Sequence, residues 1–324
     1  MEEFIFQRLL ADPLVTVVGS GKTELWPGIV YTALVGGGRP AHVMISPQFY
    51  LEKHLPHIVD VIARARSNFS NIRFTILANT EEDEALALAQ GIDAFLCNQN
   101  CFVDERLIYP EPNIPKIYDA VYNARLVPFK RHELAYETAR LAIITGGFEL
   151  DKRYAAKTLT EMSDLAYCNY NSTSGALRQL TVEQVRRILV QSCCGLALSA
   201  REGAMWASSE YLLAGLPVVT TRSLGGRDVF FDPDYVTTVE DKPGAIAAAV
   251  LDFKRRKVDP FVIRNRTIAL FRDHRCRMVA RLCEIAQTDL FPLADASMWI
   301  PQFKHQLRSR LKVNLGTADQ WAVS

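Results

Sequence analysis

The stretch from Gly195 to Asp228 constrains the fold most, because it predicts a strand, a loop, a helix and a second strand in close succession. Leu196–Ser199 is a short apolar run typical of a buried strand, and good helix formers follow over Ala204–Ala214. Gly215 can end that helix in a left-handed conformation, and the β-branched run Val218–Thr221 predicts the next strand. A strand, a crossover helix and a strand form the repeating unit of a parallel sheet.

Short strands and helices alternate along most of the remaining chain as well. The predicted strands are Thr16–Val18, His42–Ile45, Arg73–Leu77, Asp93–Leu96, Asp119–Tyr122 and Leu141–Thr145. The predicted helices are Leu51–Arg66, Glu82–Gln90, segments near His132–Arg140 and Tyr154–Met162, and one that begins after Thr181, which forms a capping box with Gln184. Alternation of this kind predicts the α/β class, with doubly wound parallel sheets.

A proline-rich segment divides this alternation into two series. Tyr109–Lys116 has the sequence YPEPNIPK, with three prolines in six residues, and predicts an extended linker. A chain of 324 residues is long enough for two domains with substantial cores. We therefore expect two Rossmann-like domains, a short one over residues 1–114 and a second over residues 115–285, followed by a helical segment over residues 286–324.

The C-terminal segment contains a basic amphipathic pattern. Within Trp299–Val313, apolar residues recur at every fourth position, at Trp299, Phe303, Leu307 and Leu311. Basic residues lie between them. This spacing predicts a helix with one apolar and one basic face. The helix either packs back across the first domain or lies against an anionic membrane surface, and the sequence leaves both alternatives open.

The composition argues against several classes of protein. The chain is 49% hydrophobic and 23% charged, as in soluble globular proteins, and its formal charge of +1 argues against a dedicated nucleic-acid binder. Met1–Leu10 lacks the apolar run of a signal peptide, and no stretch reaches the roughly 18 apolar residues that span a bilayer. The seven cysteines are scattered and odd in number, so they predict no disulfide framework. We expect a cytoplasmic protein with an unknown oligomeric state.

Two carboxylates flank the predicted helix that follows the first strand. Glu202 precedes this helix and Glu210 lies about two turns further on, so both can face in a similar direction. The amides of Gly203, Ala204 and Met205 are expected at the helix start, where free N–H groups can bind an oxygen-rich ligand. The alternative is that both acids are solvated charges on a helix surface.

Two further candidate loops follow predicted strands. Gly225 and Gly226 follow Val218–Thr221, and backbone without side chains can approach a ligand closely there. Arg125 and Lys130 follow the first strand after the linker, where an arginine and a lysine can bind a diphosphate, or can simply be basic residues of a surface loop. Ligands of open α/β sheets bind at the carboxyl ends of strands, but the residues alone leave both interpretations open.

The pattern from Glu202 to the Gly-Gly pair resembles the signature of retaining glycosyltransferases of the GT-B fold, especially family 4. That signature has two glutamates eight residues apart, followed by an AGLPVV-type strand entry and a Gly-Gly loop. The resemblance implies that Glu202, with the amides of Gly203 and Ala204, holds the donor sugar, and that Glu210 holds the ribose of the nucleotide. The sequence departs from the family at Met205, where a glycine is usual.

Arg125 and Lys130 match a second part of the same family pattern. Family 4 enzymes have an arginine and, about five residues later, a lysine in the first loop of the second domain. Both bind the donor diphosphate and stabilise the departing nucleotide in that family. The resemblance covers roughly residues 116–285, the donor-binding half. It implies a GT-B fold whose short first domain lies on the acceptor side.

The implied activity is the transfer of a hexose, with retention of configuration, from a nucleotide diphosphate sugar to a glycan or lipid-linked acceptor in surface polysaccharide biosynthesis. Two side-chain cations take the place of Mg²⁺, so neither a metal nor a cofactor is expected. The expected catalytic residues are Arg125, Lys130 and Glu202. The expected substrate-binding residues are Gly203, Ala204, Met205, Glu210, Gly225 and Gly226.

Two other functions remain open on the sequence. A catalytically inactive GT-B-like module could bind a sugar nucleotide or a partner protein with the same residues. A sugar phosphorylase of the same fold would need a pyridoxal cofactor bound to a lysine.

Two local motifs carry no predicted function. Gly21-Lys22-Thr23 follows a strand, but the leading glycine of a phosphate-binding loop would fall at Thr16, so the motif fails. His54 and His57 lie one turn apart on a predicted helix, but no third metal ligand accompanies them.

Overall fold

The computed structural model describes residues 2–147, 150–162, 166–171, 174–287 and 309–313. The chain divides into two compact units, one comprising Met1–Phe102 with Arg272–Ser324 and the other Val103–Phe271. Each unit contains a mixed α/β layer structure with parallel strands, which confirms the predicted class. The divisions lie upstream of the predicted boundaries, which followed residues 114 and 285.

The first unit is built on a sheet with the strand order β14-β1-β2-β3-β4-β5. Its elements are β1 (Glu2–Ala11), β2 (Leu14–Gly19), α1 (Leu25–Gly36), β3 (Ala41–Ser46), α2 (Leu51–Asn68), β4 (Ile72–Ala78), α3 (Glu81–Ala89), β5 (Asp93–Leu96) and β14 (Ser309–Val313). Strands β2 to β5 are parallel, and β1 pairs antiparallel with both β2 and β14. Aliphatic side chains of these strands and helices form a continuous core that includes Val18, Ile29 and Ile58.

Strand β14 corrects one prediction. The predicted helix Trp299–Val313 is wrong for Ser309–Val313, which pairs with β1 as an antiparallel strand. Alternation also fits this segment, because Leu311 and Val313 alternate with basic residues at a period of two. The edge of β1 opposite β2 offers backbone hydrogen-bond partners, and pairing with them favours the strand over the helix. The rest of the predicted helix lies outside the described residues.

The second unit is built on a parallel sheet with the strand order β13-β12-β11-β6-β7-β8. Its strands are β6 (Tyr118–Asn123), β7 (Leu141–Ile144), β8 (Ala166–Tyr167), β11 (Ser192–Ala197), β12 (Val218–Thr221) and β13 (Val236–Val239), and a small hairpin joins β9 (Tyr170–Asn171) to β10 (Ala176–Leu177). Its helices are α4 (Lys152–Glu161), α5 (Val182–Val190), α6 (Trp206–Leu213) and α7 (Pro243–Arg255); α8 (Pro260–Ala286) begins in this unit.

The strand order of the second sheet reverses between β6 and β11. From β6 the chain proceeds outward to β7 and β8, and it then returns to place β11 on the other side of β6. Connections on the two sides of such a reversal run in opposite directions. In open α/β sheets the ligand crevice usually lies at such a reversal, which here is at the carboxyl ends of β6 and β11.

The predicted end of α6 and the predicted start of α5 are confirmed. Gly215 has a φ of 74° and follows α6, so only a residue without Cβ strain fits there easily. Its amide and that of Leu216 bond to carbonyl oxygens of the last helical turn. Thr181 and Gln184 form the reciprocal capping box at the start of α5.

The predicted helix near His132–Arg140 is wrong. The segment forms one 3-10 turn, His132–Ala135, after a residue in the left-handed region, Arg131, with a φ of 52°. The Arg131 side chain donates to Leu198 O and Thr221 Oγ1, each over 2.6 Å. These bonds to the ends of β11 and β12 stabilise a local conformation that helix propensity alone opposes.

Among the described residues, no helix combines the length and the apolar character needed to cross a bilayer.

A buried carboxyl group in the first unit gives a prediction about stability. Asp83, in the first turn of α3, is 2% exposed, and burial raises its pKa to about 6. An acid whose pKa is raised by folding favours the folded state when protonated, so its contribution is lost as pH rises from about 4 to about 6. We expect Asp83→Asn to stabilise the protein at pH 7.5 by up to about 3 kcal/mol, measured by calorimetry at pH 4 and pH 7.5.

Glu81→Gln is the matched control, because Glu81 lies in the same helical turn but is exposed. Its effect should stay within a few tenths of a kcal/mol, roughly the size of one interaction with the helix dipole. Identical pH dependence of unfolding in the wild type and in Asp83→Asn would contradict the prediction.

Candidate functional site

The predicted site residues gather around the reversal of the second sheet. Arg125 and Lys130 lie in the loop that follows β6, and Glu202 lies in the loop that follows β11. Glu210 lies in α6, which packs against β11 and β12. Chain segments about 70 residues apart thus supply opposite charges to one edge of the sheet.

Lys130 and Glu202 form a direct ion pair between these loops. Only 7% of the lysine side chain and 11% of the glutamate side chain are exposed. Burial lowers the pKa of Lys130, and neighbouring Arg125 and Arg227 lower it further, whereas the Glu202 carboxylate raises it. The Lys130 backbone is fixed as well, because the buried Tyr122 hydroxyl donates to its carbonyl oxygen. The pair therefore keeps a buried ammonium charge in place at the crevice.

Glu210 is joined to the end of β6. The Asn123 side-chain Nδ2 donates to Glu210 Oε2 over 3.1 Å, and the Asn123 backbone N–H donates to the Tyr211 hydroxyl over 2.7 Å. The Tyr211 ring lies against Gly195 of β11, where an added Cβ would clash with it. A glycine in β11 thus lets α6 approach the sheet, and this approach carries Glu210 to the carboxyl end of β6.

Arg125 lies beside Gly147, which belongs to the segment after β7. A Cβ built on Gly147 would be 3.3 Å from both Cβ and Cδ of Arg125, and Gly147 has a φ of 71°. The arginine is near enough to Lys130 to lower its pKa. Two cations from one loop therefore contribute to the same positive region.

The loops after β11 and β12 are joined at Glu202 and Leu224. The Glu202 amide donates to Leu224 O over 3.0 Å, and the Leu224 amide donates to Ala200 O over 2.9 Å. Gly225 follows with a φ of 96°, which requires a glycine, and Gly226 begins a 3-10 turn. Backbone at this pair can thus lie close to whatever occupies the crevice.

The start of α6 differs from the prediction. The helix begins at Trp206, and Met205 is its N-cap with an extended backbone. The amides of Gly203, Ala204 and Met205 therefore lie before the helix rather than in its first turn. Before this point, Arg201 and Glu202 pair with Leu224, so the chain is bonded to the neighbouring loop there and not to a helical turn.

Arg227 is a site residue that the sequence did not reveal. Its side chain is fully buried and donates to carbonyl oxygens of Ala197, Ser199 and Thr221, to Thr220 Oγ1 and to Asp228. These bonds join the ends of β11 and β12 beneath the Glu202 loop. Its position directly after the Gly-Gly pair was visible, but burial of a guanidinium depends on carbonyl groups from distant segments.

His132 is buried beside the site. Its ring packs 4.9 Å from the Tyr122 ring, and burial together with the Lys130 charge lowers its pKa to about 4. The imidazole is therefore neutral at physiological pH.

Within the described part of the chain, no three His, Cys, Asp or Glu side chains form a group that could hold a metal ion. The neighbouring carboxylates of Asp232 and Asp234 both bind Arg266 Nη1, over 2.9 and 2.6 Å. Elsewhere, the His54 ring stacks on Phe49 with 4.9 Å between centroids.

Comparison with solved structures identifies the fold. HepE from Anabaena, in complex with UDP and glucose, matches with a TM-score of 0.56 at 12% identity over 87% of this chain and 76% of that chain. The same protein in complex with UDP-glucose matches with a TM-score of 0.52 at 14% identity over 87% and 77%. OtsA in its apo form matches with a TM-score of 0.52 at 12% identity over 89% and 78%.

These neighbours are two-domain glycosyltransferases, and the likeness shows that the fold is of the GT-B type. No family model matches the sequence. No curated protein matches it significantly either.

The buried ion pair predicts an asymmetric effect of substitution. Lys130→Met leaves the Glu202 carboxylate buried without its cation, which typically costs about 3–5 kcal/mol. The double variant Lys130→Met/Glu202→Leu removes both charges and should recover most of that loss. Urea unfolding of the two single variants and the double variant measures the coupling between them.

The pair Lys157–Glu161 provides the control. Its side chains are 65% and 39% exposed and lie one turn apart on α4. Lys157→Met should cost at most about 0.5 kcal/mol. A loss in the double variant equal to the sum of the losses in Lys130→Met and Glu202→Leu would show that the pair contributes no coupling.

Proposed function

We propose that this protein is a nucleotide-sugar-dependent glycosyltransferase that retains the configuration of the transferred sugar. The observation that carries the proposal is the convergence of Lys130 and Glu202 in one buried ion pair at the reversal of the second sheet. This edge is where an open α/β sheet binds ligands. The GT-B fold, found in glycosyltransferases such as HepE, supports the same function.

In the proposed reaction, Arg125 and Lys130 bind the diphosphate of the donor. Negative charge grows on the leaving nucleotide as the bond to the sugar breaks. Preorganised cations beside that charge stabilise the transition state more than the ground state. Arginine supplies two parallel donors to phosphate oxygens, and lysine supplies a compact charge.

The acids take complementary roles. Glu210 binds the ribose hydroxyl groups of the nucleotide, from a position fixed by Asn123. Glu202 orients the sugar, assisted by backbone at Gly203, Ala204 and Met205. Gly225 and Gly226 bring bare backbone close to the donor.

The Lys130–Glu202 pair also implies an exchange of partners when the donor binds. Without ligand, Glu202 supplies the negative charge beside Lys130. An incoming diphosphate supplies stronger negative charge at that position and releases Glu202 toward the sugar. This exchange explains how a buried ammonium can be both stable and available to a phosphate.

Several finer features belong to the same proposal. Two side-chain cations replace a divalent metal, and the reaction uses no cofactor beyond the donor itself. The transferred group is a hexose, and the acceptor is a glycan or a lipid-linked glycan of surface polysaccharide biosynthesis. Such an enzyme works in the cytoplasm, with peripheral contact to an anionic membrane where its acceptor is lipid-linked.

A panel of nucleotide sugars tests the proposal. Melting temperatures are measured with UDP-, GDP-, ADP- and CMP-linked sugars, because a ligand at 100 times its Kd stabilises the folded state by about 2.7 kcal/mol. One nucleotide class is expected to raise the melting temperature, and slow hydrolysis of that donor identifies a catalyst. Binding without hydrolysis or transfer would favour a catalytically inactive sugar-nucleotide module, and no shift with any donor would contradict the proposal.

Substitution of the cations separates them from ordinary surface charges. Arg125→Ala and Lys130→Ala should each lower the rate of sugar transfer by about two orders of magnitude or more, equivalent to about 3 kcal/mol of transition-state stabilisation. Lys254→Ala is the control, because Lys254 is paired with Asp119 next to the start of β6, at the opposite edge of the sheet. Near-normal turnover in both cation variants would refute their assignment.

Glu202→Gln should have opposite effects on two ligands. Loss of the carboxylate frees Lys130 for an anion, so inorganic pyrophosphate should bind more tightly than to the wild type. Sugar transfer should decline, because the group that orients the sugar is gone. Weaker pyrophosphate binding in Glu202→Gln, measured by calorimetric titration, would contradict the proposed exchange of partners.

A further inference from the structure

A chain of polar contacts continues from the Lys130–Glu202 pair into the interior of the second unit. One carboxylate oxygen of Glu202 binds Lys130, and the other accepts a hydrogen bond from the Ser199 hydroxyl. Ser199 lies two residues beyond the end of β11 and is fully buried. Because its proton is directed to Glu202, its oxygen remains free to accept from another donor.

Arg227 lies on the other side of Ser199. Its Nη1 atom donates to Ser199 O and, over 2.9 Å, to Ala197 O, and it lies 3.5 Å from Ser199 Oγ. Its Nη2 atom donates to Thr220 Oγ1 over 2.7 Å and to Thr221 O. The guanidinium thereby holds the backbone at Ser199 in a fixed position relative to the ends of β11 and β12.

We infer that Ser199 and Arg227 form a positioning relay that holds the Glu202 carboxylate toward Lys130 and toward the donor sugar. Along the relay a positive guanidinium, a neutral hydroxyl, a negative carboxylate and a positive ammonium follow one another. Each hydrogen bond in such a buried series polarises the next. The contact with Lys130 rests on the geometry alone, whereas the orientation toward the sugar rests on the proposed function.

Neither residue reaches the crevice, so both act through Glu202. A planar guanidinium with donors in fixed directions is suited to this task, because several carbonyl oxygens can be held at once. The Glu202 side chain has several rotatable bonds, and the ion pair with Lys130 alone leaves some rotational freedom. The hydrogen bond from Ser199 removes that freedom. The relay thus explains why a fully buried arginine directly follows the Gly-Gly pair.

The serine pair at the two ends of β11 gives a matched test. Ser199→Ala removes the bond to Glu202 but keeps the Arg227 bonds to the main chain. Ser192→Ala is the control, because Ser192 is also fully buried, and its hydroxyl donates to Ile188 O over 2.9 Å at the amino end of the same strand. Both variants lose one buried hydroxyl, and only Ser199→Ala loses a contact with Glu202.

The first measurement is the pH titration of the Lys130 ammonium by NMR, without any ligand. The Glu202 carboxylate raises the pKa of Lys130. A loosened Glu202 should therefore lower that pKa in Ser199→Ala and leave it as in the wild type in Ser192→Ala. Indistinguishable Lys130 titrations in the two serine variants, at similar melting temperatures, would overturn the relay.

The second measurement concerns the donor. In Ser199→Ala, the rate of transfer should decline about ten- to a hundredfold from misplacement of Glu202. The Kd of UDP, which lacks the transferred sugar, should stay within about threefold of the wild-type value. A weakened UDP affinity with an unchanged rate would overturn the assignment of the relay to sugar orientation.

Arg227→Lys provides a second variant, which keeps the charge but loses the fork of donors. Its control is Arg275→Lys in the first unit, where a buried arginine donates from Nε to Cys101 O over 2.6 Å. Arg227→Lys should alter the Lys130 titration, and Arg275→Lys should not. Failure of the wild type to bind any nucleotide sugar would refute the proposed function, yet the Lys130 titrations would still decide the relay.

Discussion

The pairing of a buried ammonium with a buried carboxylate is the interaction on which the second unit's candidate site depends. Taking either charge out of water is costly, and only close pairing with additional hydrogen bonds offsets that cost. Lys130 and Glu202 meet this condition. The Ser199 hydroxyl donates to the Glu202 carboxylate, and the Tyr122 hydroxyl donates to the Lys130 carbonyl oxygen. A protein that needed only stability could use apolar residues at these positions, so the retained charges point to ligand binding.

The topology of the sheet explains why these residues meet. Lys130 and Glu202 are far apart in sequence, but β6 and β11 are neighbours because the strand order reverses between them. The two connecting loops therefore end at the same crevice. Tyr211 and Gly195 then bring α6 close enough for Glu210 to reach Asn123.

The sequence predicts the regular parts of this arrangement well. Sequence reasoning placed charged residues in strand-ending loops, where ligands of open α/β sheets bind, and the structure brings two of them, Lys130 and Glu202, into contact. Gly215 and the Thr181 capping box could be predicted because each depends only on residues a few positions away in the sequence. Local chemistry of this kind does not depend on distant partners.

The features missed by sequence reasoning all depend on partners far along the chain. Arg131 adopts a left-handed backbone because its side chain binds Leu198 and Thr221, so no helix follows it. Ser309–Val313 forms a strand because β1 offers an unpaired edge. Arg227 appears in the sequence as one more surface charge, and only the carbonyl groups around it show why it is buried.

The central claim is that Lys130, Glu202 and Glu210 serve one nucleotide-sugar cleft. The most direct measurement follows the Asn123 side-chain amide, which bonds to Glu210, and the Lys130 ammonium by NMR while UDP is added. The account predicts that both signals move along one saturation curve with a single Kd. UDP binding that shifts the melting temperature but leaves both signals unchanged would contradict it.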